Sequence, residues 1–270
     1  MRGSTPAPGP EFVRYGGHTS CVAIATDGER PSLVLDAGTG IRRLGNLLDG
    51  EPFRGAILFG HLHWDHTQGL PFSRAVDNEG AEVDCYVPAQ GNALDVLSRA
   101  MSPPHFPVTP DQLRGTWRFH SLEAGEHRIG AFSVTALDIP HKGGRTFGYR
   151  VTDGRSTLAY LSDHWPIALG PGPEGAGEYH ETALALCDGA DVVLHDSQYT
   201  AAELVERSGW GHSSIDYAVR LCELAGARRL LLFHHDPSRT DDQIDDLVRV
   251  YGTCTSPIVE AAAEGELVEL

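Results

Sequence analysis

The chain has 270 residues, 41% of them hydrophobic and 21% charged, with a formal charge of −16. That is enough for one large domain with a sizeable core, and no apolar run nears the roughly 18 residues of a membrane span. The charge weighs against extended nucleic acid as a partner, although a local cationic site can still hold a small anion. The five cysteines, Cys21, Cys85, Cys187, Cys222 and Cys254, are odd in number and never spaced C-x-x-C, which argues against a disulfide framework and a thiolate zinc cluster and fits a reducing cytoplasm.

In chain order, MRGSTPAPGPEFVRYGG is polar, rich in Pro and Gly, and lacks the apolar core of a secretory signal. Residues 1–14 read as a disordered or frayed tail and 15–270 as a single domain. The runs VAIA, LVLDAG, AILFG, VDCYV, FSVTAL, TFGYRV and TLAYL, punctuated by Gly, Pro and Asp, predict a strand-heavy first part. Helices are expected at 40–48 and 90–101. Later, DVVLHD reads as a buried strand, and SSIDYAVRLCELAGA carries apolar residues at helical spacing with Ser213 or Ser214 as its cap. RRLLLFHHD is the next strand, and T-x-x-Q at Thr240 opens a last helix, so that βαβα closes the chain. Strands interleaved with helices give an α/β layered architecture. Loops 102–112 and 165–178 are candidate rims of a site.

The densest chemistry is HLHWDH, where His61, His63, Asp65 and His66 follow the strand AILFG. A lone histidine there would read as polar surface or a satisfied core residue. Three imidazoles and a carboxylate at a strand end instead suit zinc, manganese or iron. A loop this tight cannot wrap all four groups around one ion with good geometry, which points to two.

HLHWDH resembles the H-x-H-x-D-H signature of the metallo-β-lactamase fold superfamily, and the resemblance runs from about Tyr15 to Tyr251 through LVLDAGTG, TQGLPF, IPHKGGRTFGYR, LAYLSDHWP and LLLFHHDP. TQGLPF continues as in the ribonuclease Z-like branch. The resemblance implies an αββα sandwich of two mixed β-sheets with helices on the outer faces, and two divalent ions (Zn²⁺ or Mn²⁺, with Fe as a further candidate). It assigns His61, His63 and His141 to one ion, Asp65, His66 and His234 to the other, and Asp163 to a bridge between them. Two such ions lower the pKa of a shared water and neutralise charge on a phosphoryl or carbonyl oxygen, and Asp65 would also orient the attacking hydroxide. LHDSQYT and GWGHSS resemble the segments in which ribonuclease Z-like phosphodiesterases keep an acid and a histidine beside the metals, here Asp196 and His212. A carboxylate fixes the tautomer of such an imidazole and supports its protonated form. Ribonuclease Z usually carries glutamate where Asp196 stands.

The expected function is therefore a metal-dependent phosphodiesterase acting on a cyclic nucleotide or another small phosphodiester. Ribonuclease Z carries its tRNA-gripping arm between the third histidine and the bridging aspartate, and His141 to Asp163 leaves room only for a strand pair. The alternatives are a tRNA 3′-processing endoribonuclease, a lactone or thioester hydrolase on the same site, and a non-enzymatic metal-dependent sensor. A homodimer follows from the resemblance. Asp36 reads equally as an acceptor behind a ligand histidine or as a strand terminator, and His18 as turn chemistry or rim. His105, His120, His127, His164, His180 and His235 read as solvated or locally bonded, His164 being the one placed beside a ligand. Arg145, Tyr149 and Arg150 are candidate neighbours of a phosphate. Trp64 is expected to pack under its loop, and Phe106 to sit in a lid.

Overall fold

Period-two alternation sets the layers. The computed structural model describes residues 1–253 and 256–270. One sheet runs in sequence order through β1 (Val22–Ile24), β2 (Leu33–Leu35), β3 (Arg54–Leu58), β4 (Glu82–Pro88) and β5 (Thr116–Leu122). It is antiparallel at β1 and β2 and parallel beyond. The other contains β6 (Gly125–Ile129), β7 (Phe132–Asp138), β8 (Phe147–Thr152), β9 (Thr157–Leu161), β10 (Val192–Asp196), β11 (Arg229–Phe233) and β12 (Ile258–Ala261), ordered β12-β11-β10-β9-β8-β7-β6. Its β6 to β9 half is antiparallel and its β9 to β12 half parallel. The helices are α1 (Leu44–Leu47), α2 (Trp64–Thr67), α3 (Ala93–Ser98), α4 (Glu181–Cys187), α5 (Ala201–Arg207), α6 (Ile215–Ala225) and α7 (Asp241–Tyr251).

Leu33 and Leu35 point between the sheets and pack with Tyr149, Tyr160, Leu194, Leu231 and Phe233. Val34, between them in sequence, faces the other way, onto Leu44, Val96 and Leu97 of α1 and α3. In the second sheet Leu230 and Leu232 turn outward onto Leu186, Ala218, Leu221 and Ile244 of α4, α6 and α7. Three apolar layers thus separate four structural ones, the αββα sandwich of two mixed sheets. Each fully buried Leu or Ile contributes on the order of 2 kcal/mol to that packing.

The capped helices follow their signals. Ser214 accepts from the Tyr217 N–H at the start of α6, and Thr240 with Gln243 forms a capping box on α7. The expected helix at 40–48 is split into a 3₁₀ turn, Thr39–Arg43, and α1, while that at 90–101 shortens to α3 behind its Asn92 cap. β5, β6 and β12 have no counterpart in the sequence reading because all three are sheet edges, whose half-exposed residues carry little apolar pattern. Cys21, Cys85, Cys187 and Cys222 are free thiols; Cys254 lies outside the described residues.

One expectation needs correction. Residues 1–14 are not a frayed tail: Arg2 is fully buried, its guanidinium donating to the carbonyls of Gly16 and Arg239 and to Asp241 Oδ1 at 3.0 Å, over the Phe12 ring. Its backbone runs between Thr19 and His235 as a strap. A buried guanidinium with every contact satisfied is an anchor, and composition alone gives no sign of it.

Candidate metal centre

β3 ends at Leu58, and the chain turns through Gly60 so that His61 and His63 leave the strand before α2 raises Asp65 and His66 on its first turn. His141 follows β7, Asp163 follows β9, and His234 follows β11 in a left-handed backbone conformation (φ 57°). Strand ends of both sheets therefore deliver side chains to one edge of the sandwich. The ligand atoms of His61, His63 and His141 lie within 4.8 Å of one another, and so do those of Asp65, His66, Asp163 and His234.

Asp163 lies between the two groups. Its Oδ1 is 3.9 Å from His61 Nε2, 3.7 Å from His141 Nε2 and 3.4 Å from His234 Nε2, while its Oδ2 is 2.9 Å from His66 Nε2. The tautomers are set from behind. His66 donates Nδ1–H to Asp36 Oδ2 at 2.7 Å, and His141 donates Nδ1–H to the Gly211 carbonyl at 2.7 Å, leaving each Nε2 turned inward. Asp36 also accepts from the Tyr160 hydroxyl and the Gly60 N–H, so it is an acceptor behind a ligand histidine and not only a strand end.

Burial pushes the His61 imidazole well below its usual range and His141 down to about 4. Asp65 and Asp163 are also buried, which opposes ionisation, yet the facing imidazoles hold both well below the usual carboxylate range. Burial also pushes the His66 imidazole down, but Asp163, Asp65 and Asp36 outweigh it and hold it well above its usual range, so a cation entering the second cluster displaces a proton there. Both nitrogens of His61, His66 Nε2 and Asp163 Oδ2 are buried without a hydrogen-bond partner among the described residues. Such atoms are costly unless something accepts their lone pairs, and a divalent cation does that. The donor set fits two ions. Adding Zn²⁺ or Mn²⁺ at about 100 times its Kd should stabilise the fold by about 2.7 kcal/mol per ion. A melting-temperature rise of roughly 5–10 °C per ion, reversed by a chelator, is the expected calorimetric result.

His212 and Asp196 stand against these groups. His212 donates Nδ1–H to Asp196 Oδ2 at 3.0 Å, and Nδ1 is 3.7 Å from Asp163 Oδ1. The short aspartate side chain thus reaches the imidazole. Its carboxylate also accepts the backbone N–H groups of His164 and Gln198. The cleft beside the ligands, about 360 Å³, is walled by Ser4, Leu62, His63, Trp64, Asp65, Asp163 and His212.

Several contributors escaped sequence reasoning. Ser4 donates its backbone N–H to Asp65 Oδ2 at 2.8 Å. Buried His164 and His195 and half-buried His180 form a chain: His195 donates Nδ1–H to the Asp196 carbonyl, so its Nε2 accepts from His164 Nδ1–H, and His164 Nε2 accepts from His180. Only the position of His164 beside Asp163 hinted at this. His235, expected to be solvated or bonded, is buried beside the strap with neither ring nitrogen paired. Trp64 does not pack under its loop; at 74% exposure it stands on the rim of the cleft. Phe106 meets Phe72 edge-on at the surface. Of the candidate phosphate neighbours, Arg145 is paired with Asp138 and Glu123, Tyr149 bonds the Phe59 carbonyl between the sheets, and Arg150 bonds Leu186 behind them. His18 bonds Thr39; His120 and His127 are bonded locally, to Asp84 and the Glu123 carbonyl.

Comparison with known proteins places this geometry. The model of the β-lactamase superfamily domain matches residues 32–235. The chain belongs to the metallo-β-lactamase superfamily. Within that superfamily it is 38% identical over 230 residues to a ribonuclease Z of Pseudomonas putida, covering 68% of this chain and 70% of the relative, which puts it in the ribonuclease Z-like branch. Among solved structures, the metallo-β-lactamase fold protein YhfI of Bacillus subtilis superposes with a TM-score of 0.69 at 20% identity, over 98% of this chain and 94% of that one. A diphosphatase of the PhnP family gives 0.67 at 18% identity, over 93% and 84%. These two share the fold. The metallo-β-lactamase fold implies divalent metal ions, and the clusters described above are present to hold them. No helix is long and apolar enough to cross a membrane.

Proposed function

We propose that the protein is a metal-dependent phosphodiesterase acting on a small phosphodiester such as a cyclic nucleotide. The observation that carries this reading is the buried His212, which lines the same cleft as Asp65 and Asp163 and is backed by Asp196 at 3.0 Å. Bound at the two clusters, divalent ions supply an acidified water and neutralise charge on a phosphoryl oxygen. This chain's residues do the rest. Burial pushes the His212 imidazole down, but the Asp196 charge and hydrogen bond, with Asp163 and Asp65 behind them, outweigh it and hold His212 up at about 9. In the metal-free fold it therefore carries a proton at neutral pH, one that Nε2 could place on a phosphoryl oxygen or give to the leaving alkoxide. Asp65, fixed by the Ser4 N–H, orients the attacking water.

Room for a small substrate adjoins the cleft. A second cavity of about 260 Å³ shares His63 and Trp64 with it and is otherwise walled by Gln90, Arg99, Arg145 and neighbours, with no carboxylate in the lining. The Arg99 guanidinium makes no ion pair or hydrogen bond among the described residues. In a chain of charge −16, that is a local place for an anion.

A ribonuclease Z activity is the second reading, favoured by the 38% identical relative of that name. Against it stand the net charge and the stretch between His141 and Asp163, which is only the β8–β9 hairpin. Bis-p-nitrophenyl phosphate, a lactone, nitrocefin, cyclic mono- and dinucleotides and a pre-tRNA, assayed in parallel with Mn²⁺ or Zn²⁺, separate these. Turnover of bis-p-nitrophenyl phosphate and a cyclic nucleotide is expected; turnover of pre-tRNA alone, or of the carboxyl derivatives alone, would reject the proposal.

A further inference from the structure

His234 is the one inner histidine of the second cluster whose rear nitrogen has no partner. Its Nε2 faces Asp65 Oδ2 at 3.1 Å and Asp163 Oδ1 at 3.4 Å, so Nε2 is the ligand atom and the proton belongs on Nδ1. Nδ1 is buried and unpaired, and so is Gln198 Oε1. The two orphans are not bonded to each other in this structure, but both border Gly3. A Cβ built there would stand 2.3 Å from His234 Nδ1 and 2.5 Å from Gln198 Oε1, so both atoms border one small space that only glycine leaves open.

The neighbours fix which end of the Gln198 amide faces that space. The Gln198 side-chain amide donates Nε2–H to the Tyr199 hydroxyl at 3.2 Å, which turns Oε1 toward the histidine, and its backbone N–H donates to Asp196 Oδ1 at 3.1 Å. Gly3 is held in register by its N–H on the His235 carbonyl at 2.8 Å and by the buried Arg2 anchor. The His234 ring lies between those of His66 and His212, with interplanar angles of 22° and 30°. It can therefore rotate little, and the group behind Nδ1 decides its tautomer.

We propose that Gln198 is the positioning residue of the second metal site, accepting Nδ1–H of His234 so that Nε2 is presented to the cation, and that the N-terminal strap supplies Gly3 as the gap in which this contact forms. One glutamine would then tie the metal ligand His234 to Asp196, the residue that supports His212. The inference rests on the metal centre and not on the class of substrate.

The test uses the full chain. In zinc-loaded, ¹⁵N-histidine-labelled wild type, long-range ¹H–¹⁵N correlation is expected to show His234 protonated at Nδ1 and metal-bound at Nε2. Gln198→Leu should weaken one of two zinc ions by about 10–100-fold in competition with a chromogenic chelator, whereas Gln198→Glu, which keeps an acceptor in place, retains both. Gly3→Ala should reproduce the leucine variant. Binding through Nδ1 in the wild type, or wild-type affinity for both ions in folded Gln198→Leu, would overturn the proposal. If Gln198→Leu does not fold, the wild-type spectrum and the glutamate variant decide it alone.

Discussion

Replacing Asp163 by alanine is expected to lower phosphodiester turnover by at least about 10³-fold and to strip metal from both clusters, the largest effect of any single substitution. Among the described residues, Asp163 is the only carboxylate within 4 Å of ligand nitrogens from both, facing His61 and His141 on one side and His66 and His234 on the other. It is 2% exposed, so no water can take over the charge it contributes. Removing one member of a buried charged network leaves the others uncompensated, and such losses exceed those of surface ion pairs. Asp163→Asn keeps the shape and one acceptor oxygen but drops the charge, and should fall between wild type and alanine in metal content. The check is turnover of bis-p-nitrophenyl phosphate beside metal content by plasma emission.

His212→Ala should behave differently. A proton-transfer residue contributes about 10²–10⁴-fold, so kcat is expected to fall by that much while two ions remain bound, because the clusters keep all seven of their own ligands. Asp196→Asn should have a smaller effect of the same kind, since it removes the charge that supports the imidazole while the backbone N–H groups of His164 and Gln198 still hold the side chain. The pH dependence carries a sign. His212, raised to about 9 in the fold against 6.5 outside it, contributes stability in the metal-free protein that is fully present below pH 6.5 and lost as pH rises through about 9. In Asp196→Asn the contribution should be smaller and its loss complete at lower pH, visible in chemical denaturation of chelator-treated protein across pH 6–10.

How much of this was legible in the sequence depended on whether a residue's role lay in its own segment. HLHWDH announces itself because four candidate ligands crowd one strand end, and the α6 and α7 caps because a side chain answers a backbone donor three residues on. The layers could be expected from alternating apolar runs. Gly3 and Ser4 could not, because they matter only through His234 and Asp65, far along the chain, and nothing in a Pro- and Gly-rich start distinguishes a strap from a loose end. The edge strands β5, β6 and β12 fall in the same class, as pairing on one side alone demands little apolar pattern. Trp64 was misjudged for a related reason: a tryptophan in a tight loop is usually core, but here its place at the start of α2 turns it toward solvent.

The most direct measurement is the metal content of metal-replete, gel-filtered protein, determined with Asp163→Ala alongside. Two divalent transition-metal ions per wild-type chain are expected, with anomalous scattering placing one among His61, His63 and His141 and the other among Asp65, His66 and His234. A wild type that retains no stoichiometric metal, or binds it away from these residues, would contradict the reading of this edge of the sandwich as a dinuclear hydrolytic centre.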